Sequence, residues 1–240
     1  MSGHSKWSKV KHQKAVTDVV KARDFTKASR AITVAVSEGG GIADPEKNFR
    51  LRLAIEKARS VNMPKENIAR AIDKGVSGSG LSFEQVEYEG YAKGGVALVV
   101  EATTDNRQRT SANVKHAFDR AGGSLAVPGA VNFMFERLGV IVVAHDGSRT
   151  FDQVLDAAIT SGAQDVVERS DAFEIYTTVS ELRRTKEAIG LAGFAIENTE
   201  IIMKAKAPVI VSDEIHMMAD ELVEQLESLD DVQKVFTSVD

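Results

Sequence analysis

The chain has 240 residues, 43% of them hydrophobic, no cysteine, and a net charge of −5 from 30 Lys and Arg against 35 Asp and Glu. That length allows two or three domains with cores of their own, while the missing cysteines exclude disulfides, thiol nucleophiles and cysteine-based zinc sites. No stretch approaches the ~18 apolar residues of a membrane helix, and no apolar segment of a secretory signal follows the basic start, so a cytoplasmic protein without a membrane span is expected.

The charge is segregated along the chain. Residues 1–75 carry 16 Lys and Arg against 8 Asp and Glu, a net of +8, and residues 76–240 carry 14 against 27, a net of −13. A polyanion contact therefore belongs to the first third, with the acidic remainder limiting non-specific binding or facing another partner.

The opening fourteen residues hold Lys6, Lys9, Lys11 and Lys14, His4 and His12, the only tryptophan, Trp7, and no acid. Lysine offers a mobile point charge to phosphate, and indole offers a flat face to a base. The plainer alternative is a solvated basic arm.

From Val16 to Lys74 the spacing predicts helices. Phe25, Ala28, Ile32 and Val36 share one side of a 3.6-residue period, with Arg23, Lys27 and Arg30 roughly opposite. Val16, Val19 and Val20 project on the cationic side, which predicts a bend or a separate helix before about Arg23. Gly39-Gly40-Gly41 is expected to end this helix, Asp44-Pro45 to open the next, Pro64 to open a third and Gly75 to close it. Gly75 to Gly80 has the composition of a flexible linker.

Beyond that linker the period shortens. Strands are expected at Glu87–Tyr91 and Val96–Ala102, a helix from about Asn106 to Arg120, and a strand at Val131–Phe135. From Gly139 the order is strand (140–144), helix (151–161), strand (165–168), strand (173–178), helix (181–192) and strand (195–203), the βαββαβ order of a ferredoxin-like unit. A helix from about Asp213 to Leu229 and a strand at 232–239 follow. The first β module has too few elements to close its own layer, so the last helix and strand are expected to return to it, with the ferredoxin-like unit inserted.

The fold class is therefore α+β and multidomain: a basic arm and three-helix bundle over 1–75, an α/β domain from 81–138 plus 205–240, and an inserted ferredoxin-like domain over 139–204.

Catalytic chemistry finds little support. The five histidines lack metal-ligand spacing, Gly39–Gly41 has no following Lys-Ser/Thr and sits between helices rather than after a strand, and Ser111, His116 and Asp119 fall within one helix with no oxyanion loop. No catalytic residue, metal, cofactor or small-molecule substrate is expected.

The better candidate is Thr103 to Thr110. A strand ends, a capping Asp or Asn follows, and Arg107 and Arg109 stand in the first helical turn, where the helix dipole already attracts anions. These arginines either meet phosphate or pair with neighbouring acids. As phosphate ligands they would form a second site, on a domain separated from the basic bundle by the flexible linker.

The sequence resembles the YebC/PmpR family, whose mitochondrial relatives act as translational activators. The resemblance is carried by Ser2-Gly3-His4-Ser5-Lys6-Trp7 with Lys11-His12 and Lys14, by Phe25-Thr26-Lys27, and by Asn62-Met63-Pro64-Lys65 with Asn67-Ile68 and Arg70-Ala71-Ile72. Tyr88-Glu89-Gly90-Tyr91, Thr104-Asp105-Asn106-Arg107 with Arg109-Thr110, and Leu229-Asp230-Asp231-Val232-Gln233 extend it over almost the whole chain. Phe49, Ala92-Lys93 and Phe133 depart from residues frequent in the family, and none of these touches the basic arm. The resemblance implies three domains, one helical and two α/β, and a role in gene expression through nucleic acid.

The expected function is a non-enzymatic, DNA-binding transcriptional regulatory protein. The alternative is a ribosome-associated translation factor binding ribosomal RNA. Binding is expected at Lys6, Trp7, Lys9, Lys11, His12, Lys14, Arg23, Lys27, Arg30, Arg107 and Arg109.

Overall fold

The structure, a computed structural model, describes residues 18–78, 83–145, 147 and 149–239. Two compact units divide the chain: residues 14–134 with 207–239 form one, and Phe135–Lys206 belong to the other. Both contribute to an α+β architecture with helices leading into two four-stranded antiparallel sheets.

The larger unit begins with α1 (Asp18–Glu38), α2 (Phe49–Ser60) and α3 (Lys65–Ser77). Ile32, Val36, Leu51, Ile55, Ala58, Ile68 and Ala71 bury one shared core. Among the described residues no bend precedes Arg23: α1 is continuous from Asp18, Val20 stands exposed on it, and Val16 lies outside the described residues. The propensity of one helix outweighs a few valines on the wrong face.

The second helix opens later than Asp44-Pro45 suggests. Its cap is Asn48, whose side-chain oxygen accepts from the Leu51 N–H at 3.0 Å while its amide donates to the Ala35 carbonyl at 2.8 Å. Asp44 instead closes a turn, accepting from the Glu46 N–H.

Asn62-Met63-Pro64 has a direct physical reading. Asn62 takes the left-handed conformation, φ 61°, that ends α2. The N–H groups of Asn62 and Met63 return to the carbonyls of Arg59 and Ala58, the double closure of a Schellman end, with Met63 as its buried apolar contact. Pro64 then directs the chain into α3.

Gly75 does not close that third helix, which continues to Ser77 and turns at Gly78 (φ 57°). Gly75 is buried against α1, and a Cβ there would lie 2.7 Å from the Val36 Cβ and 2.8 Å from the Thr33 carbonyl oxygen. Its role is close approach between two helices.

The first sheet has the order β3-β1-β2-β8, from β1 (Glu84–Tyr91), β2 (Ala97–Thr104), β3 (Ser124–Leu125) and β8 (Val232–Thr237). α4 (Arg107–Arg120) and α7 (Asp213–Glu227) bury Val114, Phe118, Leu222 and Leu226 against Leu98, Val100, Val232 and Val235. The chain's last helix and strand thus do return to this sheet, with β8 pairing antiparallel to β2.

The segment expected as a strand at Val131–Phe135 is a single 3-10 turn over Asn132–Met134, and the strand proper starts at Phe135. The backbone N–H groups of Val131 and Asn132 are held by the Glu89 carboxylate, which removes them from ladder pairing.

The second unit comprises β4 (Phe135–Ala144), α5 (Phe151–Ser161), β5 (Asp165–Glu168), β6 (Ala172–Thr178), α6 (Leu182–Leu191) and β7 (Ile196–Ala205). Its sheet order, β5-β6-β4-β7, is that of a ferredoxin-like βαββαβ unit. Thr150 and Gln153 form a complete capping box at the start of α5.

Candidate nucleic-acid interface

Lys6, Trp7, Lys9, Lys11, His12 and Lys14 lie outside the described residues. The remaining five expected site residues all fall in the larger unit, and four of them meet the segment from Glu227 to Asp231, three at the turn Asp230-Asp231 between α7 and β8 and Lys27 at the end of α7.

Three of these residues stand on α1. The Lys27 ammonium donates to the Glu227 carbonyl at 2.6 Å, at the negative end of α7. Arg30 donates to the Asp230 carbonyl at 2.7 Å and to the Asp231 carboxylate at 2.6 Å. Arg23 stands 3.8 Å from the Asp230 carboxylate.

Arg109 arrives from α4. Its guanidinium donates to both oxygens of Asp231, at 2.9 and 3.0 Å, and to Asp105 at 2.7 Å. The Thr110 hydroxyl completes the shell with a 2.7 Å bond to Asp231. Asn106 positions these residues by capping α4 through the Arg109 N–H.

Asp231 is thus a buried carboxylate, 7% exposed, between two guanidiniums. Burial pushes its carboxyl up, but the Thr110 and Arg109 hydrogen bonds and the charges of Arg30 and Arg109 outweigh that and hold it below the usual carboxylate range. Arg109 is raised in turn by its bonds to Asp231 and Asp105. Arg107 stays outside the cluster, 3.5 Å from Glu84 with 64% of its side chain exposed.

The cationic face of α1 and the start of α4 therefore meet the same carboxylate within one compact unit. This differs from two phosphate sites on separately moving domains. Of the linker expected over Gly75 to Gly80, the part through Ser77 is helical and Ser79 and Gly80 lie outside the described residues, while Arg30 and Arg109 share an acid.

Sequence reasoning missed a neighbouring feature. Between α1 and α3 a groove of about 510 Å³ is lined by Phe25, Thr26, Ser29, Arg30, Thr33, Met63, Asn67, Arg70, Ala71, Lys74 and Phe83. Arg30 and Lys74 lie 5.4 and 5.0 Å from the centroid of the Phe83 ring, and Arg70 donates to the Asn67 side chain. Thr33 ties the floor together by donating to the Ala71 carbonyl at 3.1 Å. The available signal was the pair of segments Phe25-Thr26 and Met63 to Ala71, legible as motifs of the resemblance but not as two walls of one site.

Among the described residues no group of three or more His, Asp or Glu side chains is gathered to hold a metal, and no helix is long and apolar enough to cross a membrane.

Comparison with known proteins assigns both parts of the chain. Residues 5–78 match the family model for the TACO1/YebC protein N-terminal domain, and residues 83–239 match that for the TACO1/YebC second and third domain. A probable transcriptional regulatory protein of Thermoanaerobacter pseudethanolicus is 45% identical over 241 residues, covering 100% of this chain and 97% of that protein. One from Chloroflexus aggregans is 46% identical over 242 residues, covering 100% and 96%. The crystal structure of a conserved hypothetical protein, Aq1575, from Aquifex aeolicus superimposes with a TM-score of 0.87 at 43% identity, over 98% of this chain and 97% of that one. With both of its parts matched and relatives of nearly equal length, the chain belongs to the TACO1/YebC family.

Proposed function

We propose that this protein is a nucleic-acid-binding regulator of gene expression that acts in the cytoplasm without catalysing a reaction, and that its target is DNA in the control of transcription. The observation that carries the reading is the segregation of charge, net +8 over residues 1–75 against −13 over the remainder. A polyanion is drawn to one part of such a chain and repelled from the rest. The names of its relatives, probable transcriptional regulatory proteins, agree with a regulatory role. Binding is assigned to the basic arm, Lys6, Trp7, Lys9, Lys11, His12 and Lys14, supported by Arg23, Lys27 and Arg30 on α1 and by Arg107 and Arg109 at the start of α4.

The test is duplex binding by the full chain over a series of salt concentrations with competitor DNA. Log affinity should fall against log salt with a slope of about −0.9 for each phosphate neutralised. Replacing Lys6, Lys9, Lys11 and Lys14 by Glu should weaken binding sharply. A salt-insensitive complex overturns the reading. Crosslinking in cells, with DNA and RNA sequenced from one sample, separates it from the alternative of a translation factor on ribosomal RNA: recovery of ribosomal RNA with co-sedimentation on ribosomes replaces the DNA reading.

A further inference from the structure

We infer that the groove between α1 and α3 is a pocket for a single unstacked nucleotide, with the base held against Phe25, Met63 and Phe83 and the adjoining phosphate held by Arg70 and Lys74. This rests on the reading of the protein as nucleic-acid-binding and adds a site, a mode and a chemical class of ligand to it.

The groove has the composition such a ligand needs. Among the described residues its lining includes the cations Arg30, Arg70 and Lys74 and no acid, although acids are frequent on the surrounding helices. Its apolar wall is aromatic and thioether, flat or adaptable surface that accepts any base face. At about 510 Å³ it falls within the ~300–1,000 Å³ typical of small-ligand sites and is far too narrow for a duplex, whose bases are buried in their own stack.

The cations sit where the charge would be. Lys74 lies over the Phe83 ring and Arg30, bonded to Asp231, lies beside that ring, and Asn67 holds Arg70 on α3, one helical turn before Lys74. Two cations one helical turn apart on α3 place positive charge along the groove in which a base would sit. An acidic peptide would satisfy the cations but leave the aromatic wall unused, and an apolar peptide would do the reverse.

The experiment uses the full chain and labelled single strands of one sequence, as DNA and as RNA, each compared with a strand of the same length lacking every base. The wild type should prefer the intact strand by about tenfold or more, and Phe83→Ala should lower that preference both in the wild type and in a Trp7→Ala background, so that the share supplied by the basic arm is separated from that of the groove. Arg70→Ala with Lys74→Ala should weaken both kinds of strand equally. Strands carrying thiothymidine or thiouridine should crosslink to peptides containing Phe25, Met63 or Phe83 in the wild type, a readout that needs no variant to fold. The DNA and RNA arms show which strand supplies the nucleotide.

Equal affinity for intact and base-free strands, crosslinks mapping elsewhere, or polyglutamate binding as tightly as an intact strand each overturns the pocket. In the first two cases the protein still binds nucleic acid and the general reading stands. Failure to bind any strand or duplex defeats the general reading itself.

Discussion

Two buried carboxylates in the larger unit are held in opposite ways. Asp231 is surrounded by side chains, two of them charged, from α1 and α4. Glu89, on β1, accepts three backbone N–H groups instead, from Gly129 at 2.6 Å, Val131 at 2.7 Å and Asn132 at 2.8 Å. Both stay ionised against burial: at Glu89 burial pushes the carboxyl up, and the three N–H donors more than offset it. The difference is in what each fastens. Asp231 joins helices to the edge of a sheet through charges that could otherwise meet solvent, whereas Glu89 shapes one loop whose N–H groups have no ladder to join.

Breaking Asp231 should have the largest effect. Asp231→Asn removes the carboxylate that Arg30 and Arg109 share, leaving Arg109 with Asp105 and Arg30 with the Asp230 carbonyl, and should cost about 3 kcal/mol in denaturant unfolding at neutral pH. A cost under about 1 kcal/mol would mean that water replaces the carboxylate. Arg30→Ala in the same background should then cost less than in the wild type, because its bond to that carboxylate is already lost.

Glu89→Gln is the matched break on the other side. Glutamine offers one acceptor oxygen where three N–H donors need partners, so about 1–3 kcal/mol should be lost. The loss should concentrate in faster hydrogen exchange at Gly129, Val131 and Asn132, while the amides of α1 stay protected. Spread of the effect to α1 would erase the distinction between the two carboxylates.

Acid titration sharpens the comparison further. Each group titrates lower in the folded chain than its ordinary value, 3.8 for Asp231 and 4.5 for Glu89. The stability each contributes is complete above those values and is lost as the pH falls below them. Stability measured from pH 6 down to pH 3 should therefore decline, and each single variant should show a shallower decline than the wild type. The smallest effect is expected at Arg107→Ala: its exposed pairing with Glu84 should be worth less than about 0.5 kcal/mol, well inside the range of surface ion pairs.

The ferredoxin-like unit was the most legible part of the sequence. Its β4 and β6 are dense apolar runs, its α5 opens on a complete capping box and closes on Gly162, and short turns separate its elements, so pattern alone places all six. The larger unit was harder to read for the opposite reason. Strand β3 is only two residues long and has no periodicity to detect, and Gly75 resembles a helix end until α1 is seen pressed against it. At the candidate site, composition identifies the cations on α1 and α4 but says nothing about their partners. Arg30 and Asp231 are 201 positions apart, and no local rule connects them.

That separation bears on how the chain is made. Helices α1 to α3 are complete early in synthesis, but the carbonyl that receives Lys27 and the carboxylate that receives Arg30 emerge only with the last fifteen residues. Until then Arg30 lacks the Asp231 carboxylate, and β2 lacks the neighbour that β8 will supply. The turn at Asp230-Asp231 and strand β8 therefore supply the partner of Arg30 and the neighbour of β2 together, and a chain that stops at residue 228 should fold its helices yet leave Arg30 without Asp231.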